Sequence, residues 1–205
     1  AVGATRHPEY ELQNNEVHLL SPYYFETYFP VAEGELKINF PSDIKVKYIA
    51  KGLNADKISF SQSQKKGRVT YTFHVSNLKG VQAYSDAPDN AYYSTHLIFY
   101  IEKIKENDEW KNFLSTPEDL YHHSYGFIKD INKTRSPELE KITDSLIKNV
   151  STDEEKTKRI YQWVQSNIKY VAFEAGMEGF VPREASLVCS RRFGDCKDMA
   201  SILTS

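Results

Sequence analysis

The sequence of 205 residues contains only two cysteines, Cys189 and Cys196, and no Cys-x-x-Cys pair. This excludes a disulfide framework, and without a cluster of cysteine and histidine it also excludes a zinc site of the usual spacing. A single bridge between Cys189 and Cys196 would leave no free thiol. The six histidines are scattered, and all of them precede Cys196. His122 and His123, adjacent on a predicted helix, point to different faces and would make a poor metal chelate.

The sequence also lacks a large excess of positive or negative charge, and it lacks long apolar runs. Lys and Arg number 26 against 28 Asp and Glu, which gives a formal net charge of −2. The sequence therefore offers no electrostatic reason to expect a nucleic acid or an anionic membrane as partner. No apolar run approaches the roughly 18 residues that would span a bilayer. The chain is long enough for one large or two small globular domains with a hydrophobic core.

The first part of the chain, to about residue 114, shows a hydrophobic period of two. Apolar and polar residues alternate, or apolar residues follow one another, in segments 35–40, 45–48, 57–60, 68–75 and 96–101. Breaks rich in Gly, Pro, Asp or Lys separate these segments, and residues 83–90 are predicted as a long loop. Several short strands with one polar face predict an antiparallel, sandwich-like β domain.

From residue 115 the pattern becomes helical. Helix starts are predicted at Thr116, at Ser136 and at Ser151 or Thr152, where a capping residue precedes proline or acidic residues. The first of these helices is predicted to run to about residue 131. The sequence thus predicts an α+β fold: a β-rich domain with a trailing helix over residues 1–135, then a helical domain over residues 136–205.

The most distinctive stretch is Arg-Arg-Phe-Gly-Asp-Cys-Lys-Asp-Met-Ala, residues 191–200. Gly194 would free the backbone for a sharp reversal, and Asp195 would cap a helix by accepting the N–H of Asp198. Cys196 then occupies the first helical position, where the helix dipole favours a thiolate. A nucleophile is one interpretation of Cys196. The alternative is a small buried residue at a helix start, since free cysteine is among the most buried residue types.

Three further residues near this stretch are given structural roles. Cys189 is expected to be a buried apolar residue in a short helix, and Trp163 is expected to pack in the core. Asp198 is expected to lie at the surface or to contact the residues of the site without acting as a direct catalyst.

The last third of the chain resembles the transglutaminase-like (papain-type cysteine) superfamily, in its bacterial branch. The matching pieces are residues 160–164 (Ile-Tyr-Gln-Trp-Val), 168–171 (Ile-Lys-Tyr-Val), 179–182 (Gly-Phe-Val-Pro) and 192–198 (Arg-Phe-Gly-Asp-Cys-Lys-Asp). The last piece is the most specific. The residues before it resemble, more weakly, the later half of a β-rich domain of unknown function found ahead of such cores. The matching segments of that domain are residues 28–31, 69–73 and 93–97.

The resemblance implies the helical N-terminal half of a transglutaminase-like core with Cys196 as its nucleophile. The implied reaction is thiol-dependent acyl transfer or hydrolysis at amide bonds of proteins or peptides. In the resembled family a His and then an Asp lie downstream of the Cys, and neither is present before Ser205. The expectation is therefore a fragment of a longer protein that is inactive alone. A homodimer that covers the apolar face of the last helix, or a poorly ordered tail, is expected with it.

No cofactor is expected, because no residues match the calcium ligands of the animal relatives. The resemblance favours an extracytoplasmic location, periplasmic or secreted. A second hypothesis is non-enzymatic: an extracytoplasmic binding or assembly module whose core is a scaffold. A His and an acid downstream of Cys196 would favour the enzyme, and their absence there would favour the scaffold.

Overall fold

The computed structural model describes residues 3–82 and 85–205. The chain divides into two compact units, Ala1–Thr116 and Pro117–Ser205. The regular elements of the first unit are β1 (Tyr23–Tyr24), β2 (Val31–Pro41), β3 (Ile44–Lys51), β4 (Ser59–Lys65), β5 (Arg68–Leu78), α1 (Asn90–Tyr93), β6 (His96–Glu106) and β7 (Glu109–Asn112). Those of the second unit are α2 (Pro117–Ile128), α3 (Pro137–Ile147), α4 (Asp153–Asn167), β8 (Lys169–Tyr170), α5 (Ala185–Arg191), β9 (Phe193–Gly194) and α6 (Cys196–Thr204).

Two antiparallel sheets form the first unit. In one sheet β6 is central, with β3 along one edge and the short strands β1 and β7 along the other. In the second sheet β5 lies between β2 and β4. The predicted α+β fold class, with strands first and helices after them, is confirmed. No helix among the described residues is long and apolar enough to cross a bilayer.

The core of the first unit follows the period-two pattern of its strands. In β5, Phe73 and Val75 are buried, whereas His74 between them is exposed. Leu97 of β6 and Phe25, just after β1, belong to the same buried cluster. Residues of the two sheets therefore share one core, as expected for strands with one apolar face.

The strand predictions fail at one place. Residues 57–60 were predicted as a strand, but Ala55–Lys57 form a 3₁₀ turn and β4 begins only at Ser59. All seven residues of β4, one of the two edge strands of its sheet, are exposed. Part of the predicted loop over 83–90, Ala83 and Tyr84, lies outside the described residues. The remainder ends at α1, where the Asp89 carboxylate accepts the N–H of Ala91 at 2.8 Å.

The helix starts of the second unit follow local capping rules. The Ser136 side chain accepts the N–H of Leu139 ahead of α3, and Thr152 accepts the N–H of Glu155 ahead of α4. The first helix, α2, ends at Ile128, earlier than predicted. It lies in the second compact unit. The proposed domain boundary near Arg135 stays a prediction.

Helices α4, α5 and α6 supply the core of the second unit. Its buried members are Val164, Ile168, Ala185, Val188, Cys189 and Ile202. Trp163 is only partly buried and packs against this cluster. In α6, Ile202 is buried while Leu203 remains 39% exposed, so the helix buries one side within its own unit.

Asn132, in the connection between α2 and α3, ties three segments of this unit together. Its Nδ2 donates to the carbonyl of Ser201 in α6 at 2.8 Å. Its Oδ1 accepts the N–H of Ala185 at 2.8 Å and so satisfies the first donor of α5. Its own N–H donates to Glu184 at 2.9 Å. The residue has a φ of 57°, a left-handed conformation that asparagine tolerates better than most residues.

Candidate active site

A short parallel pair of strands brings the chain to the start of α6. In the pair formed by β8 and β9, Tyr170 lies opposite Gly194. The N–H of Lys169 donates to the carbonyl of Arg192 at 2.8 Å, and the N–H of Val171 to that of Gly194 at 2.9 Å. Cys196 follows β9 after a single intervening residue. The pairing therefore fixes where the first turn of α6 begins.

Arg192, rather than Gly194, makes the sharp reversal ahead of β9. Arg192 has a φ of 62° and ends α5, with its N–H bonded to the carbonyl of Val188. Gly194 is required for a different reason, because a Cβ added there would lie 2.6 Å from the Cβ of Asp198. The prediction that Gly194 provides backbone freedom is thus wrong. It provides the space in which the first turn of α6 packs against β9.

A capping box fixes the N-terminus of α6. The Asp195 carboxylate accepts the N–H of Asp198 at 3.4 Å, and the Asp198 carboxylate accepts the N–H of Asp195 at 3.1 Å. This confirms the predicted cap and the placement of Cys196 as the first residue of the helix. The Lys197 ammonium pairs with Asp195. The positive end of the helix dipole and the two carboxylates thereby stabilise each other.

Asp198 is fully buried, which excludes the surface position and leaves the other expected one, behind the residues of the site. The guanidinium of Arg183 donates to its Oδ2 at 2.7 Å, and the backbone N–H of Arg183 to its Oδ1 at 2.8 Å. Burial alone would raise the pKa of Asp198. The hydrogen bonds from Arg183 and from the N–H of Asp195, with the charge of Arg183, outweigh it and lower the pKa.

Arg183 also holds the segment that follows β8. Its second guanidinium nitrogen lies 2.7 Å from Glu178, and the guanidinium stacks over the ring of Phe173 at 4.6 Å. Phe173 in turn contacts Phe193 of β9. One arginine therefore connects this segment to the buried carboxylate behind the cysteine.

Cys196 is exposed, and Tyr170 lies opposite Gly194, two residues before it. Partial desolvation, followed by the charges of Cys196 and Glu174, raises the pKa of Tyr170. The motif around residues 168–171 pointed to Tyr170 only as a matching residue. Its position beside the start of α6 depends on the pairing of β8 and β9, which the spacing of 26 positions in the sequence does not indicate.

Histidine is not among the partners of this thiol. Among residues 3–82 and 85–205, no histidine hydrogen-bonds Cys196, and His122 and His123 lie on α2. The same residues contain no group of three His, Cys, Asp or Glu side chains that could hold a metal ion.

Cys189 is a free thiol like Cys196, but it is fully buried, as expected. Burial, and then the nearby Glu138, raises the pKa of the Cys189 thiol. The two cysteines should therefore differ sharply in chemical reactivity.

We expect iodoacetamide at neutral pH to label Cys196 at least about a hundredfold faster than Cys189, since only the thiolate of an accessible cysteine reacts readily. Peptide mass spectrometry after timed quenching gives both rates. In guanidinium chloride the two rates should converge, which is the internal control. Equal labelling of the folded chain would contradict the burial of Cys189.

Comparison with known proteins agrees with this geometry. Residues 140–205 match the family model of the transglutaminase-like superfamily. No curated protein matches the chain significantly. A crystal structure from Parabacteroides distasonis, described as a "putative protease", superposes with a TM-score of 0.64 at 15% sequence identity. The match covers 89% of this chain and 33% of the other, so the chain spans about a third of that protein's length.

At 15% identity the structural likeness establishes the fold, while the family match rests on the sequence that includes the capped cysteine. Together they confirm the resemblance drawn from the Arg-Phe-Gly-Asp-Cys-Lys-Asp motif. Residues 140–205 are similar to the transglutaminase-like superfamily.

Proposed function

We propose that Cys196 is the nucleophile of a thiol-dependent acyl transfer or hydrolysis at amide bonds of proteins or peptides. The observation that carries the proposal is an exposed cysteine at the first position of a helix whose N-terminus is fixed by a buried capping box. Free cysteines are usually buried, as Cys189 is. An exposed one that faces the positive end of a helix is the arrangement expected for a reactive thiol.

In the proposed first half-reaction, the Cys196 thiolate adds to an amide carbonyl. A C–S bond forms, and the carbonyl π electrons move to oxygen. Collapse of this intermediate breaks the C–N bond, leaves a thioester on Cys196, and requires a proton for the departing amine. Water or a second amine then resolves the thioester. The backbone N–H of Cys196 has no intrahelical acceptor and can stabilise the oxyanion.

Proton delivery is the step for which residues 3–82 and 85–205, those that the structure describes, supply no identified group. The superfamily uses a His oriented by an Asp downstream of the cysteine, and we propose the same for the protein that contains this segment. The 205-residue chain should then accept an acyl group from an activated ester, whose phenolate leaves unprotonated. It should not turn over amides, since loss of a triad member typically costs several powers of ten.

The test uses p-nitrophenyl acetate and a peptide p-nitroanilide. We expect the chain to release one p-nitrophenolate rapidly and to gain one acetyl group on Cys196, whereas Cys196→Ala shows only slow background. The p-nitroanilide should remain intact with both proteins.

A nine-residue peptide with the sequence of residues 192–200 is the matched control for an unactivated cysteine. If Cys196 in the folded chain is acetylated no faster than this peptide, the proposal that Cys196 is a nucleophile is wrong. The result would then support the second hypothesis, a non-enzymatic scaffold. If amide turnover occurs and disappears in Cys196→Ala, a general base is present in these residues.

Two parts of the proposal rest on the family resemblance alone. They are the substrate class, which is a protein or peptide, and the extracytoplasmic location. A homodimer through the C-terminal helix also stays a prediction. The mass of the chain in solution would test it directly.

A further inference from the structure

We propose that the cavity beside Glu26 in the first unit binds a primary ammonium group carried on an aliphatic chain, with the Glu26 carboxylate as its counter-ion. The inference lies outside the proposed chemistry of Cys196 and does not depend on it. Three observations support it: a carboxylate buried without an ion pair, a cavity whose wall contains that residue, and apolar and aromatic side chains around the rest of the cavity.

Glu26, two residues after β1, carries a buried carboxylate that no cation accompanies. It is only 8% exposed. Its Oε1 accepts the side-chain amide of Asn54 at 2.8 Å, and its Oε2 accepts the backbone N–H of Thr95 at 2.6 Å. Both donors are neutral, and among residues 3–82 and 85–205 no lysine, arginine or histidine forms an ion pair with Glu26. Buried glutamates are rare unless paired, so a positive partner is missing from this unit.

The hydrogen bonds from Asn54 and Thr95 do not exhaust what the carboxylate can accept. Two carboxylate oxygens offer about four acceptor positions, and these bonds occupy two of them. An ammonium group has three N–H donors and no acceptor, so it would fill the remaining positions and compensate the charge. The two neutral donors account for the orientation of Glu26, and an ammonium ligand accounts for its charge.

The cavity has the size and the walls for the rest of such a ligand. Its volume is about 430 Å³, and Glu26 and Asn54 both line it, which places the hydrogen-bonded pair at its wall. The apolar and aromatic residues that line it include Leu53, Val81, Pro88, Tyr92 and Tyr93. Mostly apolar walls with a few polar groups are typical of small-molecule sites, and tyrosine rings also attract cations.

Backbone hydrogen bonds hold the segments that form these walls together. The N–H of Leu53 donates to the carbonyl of Tyr93 at 3.0 Å, and the N–H of Val81 donates to the carbonyl of Thr27 at 2.8 Å. These bonds connect the end of β3 to α1, and the segment after β5 to the segment after β1. A ligand would therefore enter walls that are already ordered, which lowers the entropic cost of binding.

Lys79 is a cationic residue of the cavity wall, and its position leaves the site open to a second cation. Lys79 is exposed, and it forms no ion pair with Glu26 among the residues that the structure describes. Its ammonium can stay in water while a ligand binds, and it would repel that ligand weakly. We therefore expect Lys79→Ala to bind a cationic ligand at least as tightly as the unchanged chain.

The test titrates the 205-residue chain with n-hexylammonium chloride and, separately, with 1-hexanol, a neutral molecule of the same length. Binding is read by ¹H–¹⁵N NMR from the Thr95 backbone amide and the Asn54 side-chain amide, since both donate to Glu26. We expect hexylammonium to bind at least about tenfold more tightly than hexanol, because hydrogen bonds to charged groups are the stronger ones. Equal affinities would overturn the proposal.

A parallel titration with Nα-acetyl-lysine methylamide distinguishes two sources of the same group. If it binds more tightly than hexylammonium, the natural ligand is a lysine side chain of a peptide or protein. If it binds more weakly but still involves Glu26, the ligand is a free amine. Both results support an ammonium site, whereas no shift of the Thr95 and Asn54 amides with either compound would overturn it.

Glu26→Gln tests the counter-ion directly. This variant should bind hexylammonium at least about tenfold more weakly and hexanol with unchanged affinity. Unchanged affinity for hexylammonium would overturn the proposal and leave Glu26 as a structural link between Asn54 and Thr95. The NMR spectrum shows whether the variant is folded.

Tyr92→Ala is a second variant that does not disturb the core, because Tyr92 lines the cavity and is 72% exposed. It should weaken hexylammonium binding about threefold or more through the loss of ring contacts. Trp110→Ala is the control: Trp110 pairs with Lys105, ten positions after Thr95 and at the other end of β6, and should leave binding unchanged. An effect of Trp110→Ala equal to that of Tyr92→Ala would overturn the placement of the ligand.

Discussion

Asp198→Asn is expected to lower the free energy of unfolding of the second unit by about 2–4 kcal/mol. Removing one member of a fully buried ion pair costs about 3–5 kcal/mol, and we expect about 1 kcal/mol less here because the Arg183 side chain keeps 17% of its exposure. The asparagine amide would also face N–H donors of Arg183 or Asp195, which only an oxygen can satisfy.

The pH dependence provides a signature of this carboxylate. Hydrogen bonds hold the pKa of folded Asp198 below its unfolded value, so the contribution is fully present above about pH 3.9 and is lost as the pH falls through the folded pKa. The difference between the unchanged chain and Asp198→Asn should therefore be constant near neutral pH and should narrow in acid.

Denaturation can be followed for this unit by the fluorescence of Trp163, since the other tryptophan, Trp110, lies in the first unit. A Trp110→Phe background isolates the signal. Asp153→Asn is the control, because the Asp153 side chain is 96% exposed in its pair with Lys156 and should contribute less than about 0.5 kcal/mol. A loss of under 1 kcal/mol for Asp198→Asn would show that the buried network is not what fixes α6.

Phe73→Ala is expected to lower the free energy of unfolding of the first unit by about 3–5 kcal/mol. Phe73 has no exposed surface and contacts Tyr48, Phe60 and Tyr71 in the aromatic part of the core. Truncation removes the burial of the ring and leaves a cavity between β5 and its neighbours, and both effects are destabilising.

Phe60→Ala is the matched control, since Phe60 pairs with Phe73 across β4 and β5 but is 42% exposed. It should cost about 1 kcal/mol, because much of its surface is already in water. Trp110 fluorescence in a Trp163→Phe background reports on this unit. Equal losses for the two phenylalanines would contradict the distinction between the buried central strand and the exposed edge strand of this sheet.

The sequence predicted those features that depend on neighbouring residues. Ser136, Thr152 and Asp195 each cap a helix because a side-chain oxygen and a backbone N–H two or three positions later meet in any helix start. The alternation in β5 likewise follows from the geometry of one strand. The Arg-Phe-Gly-Asp-Cys-Lys-Asp motif belongs to the same class, and the family it indicates is confirmed.

The features that sequence reasoning missed depend on residues distant in the chain. Gly194 was given a role in backbone freedom, but its constraint is the side chain of Asp198 packed against it. The sequence left the surface and a position behind the site open for Asp198, because nothing nearby in sequence indicated Arg183 as its partner, 15 positions upstream. Tyr170 lies beside the start of α6 only through the register of two strands of two residues each, too short to be recognised from periodicity.

The Asn132 contacts have a consequence for where this core can be cut from the chain. The family match begins at residue 140, and α3 at Pro137, so Asn132 precedes both. A polypeptide started at residue 140 would remove the acceptor of the first N–H of α5 and one donor to the Ser201 carbonyl in α6, the helix that begins at Cys196. The segment expected to keep these contacts when it is excised is therefore longer than the segment that matches the family model. Excision for crystallisation or domain exchange should begin ahead of Pro117, at the division between the two compact units.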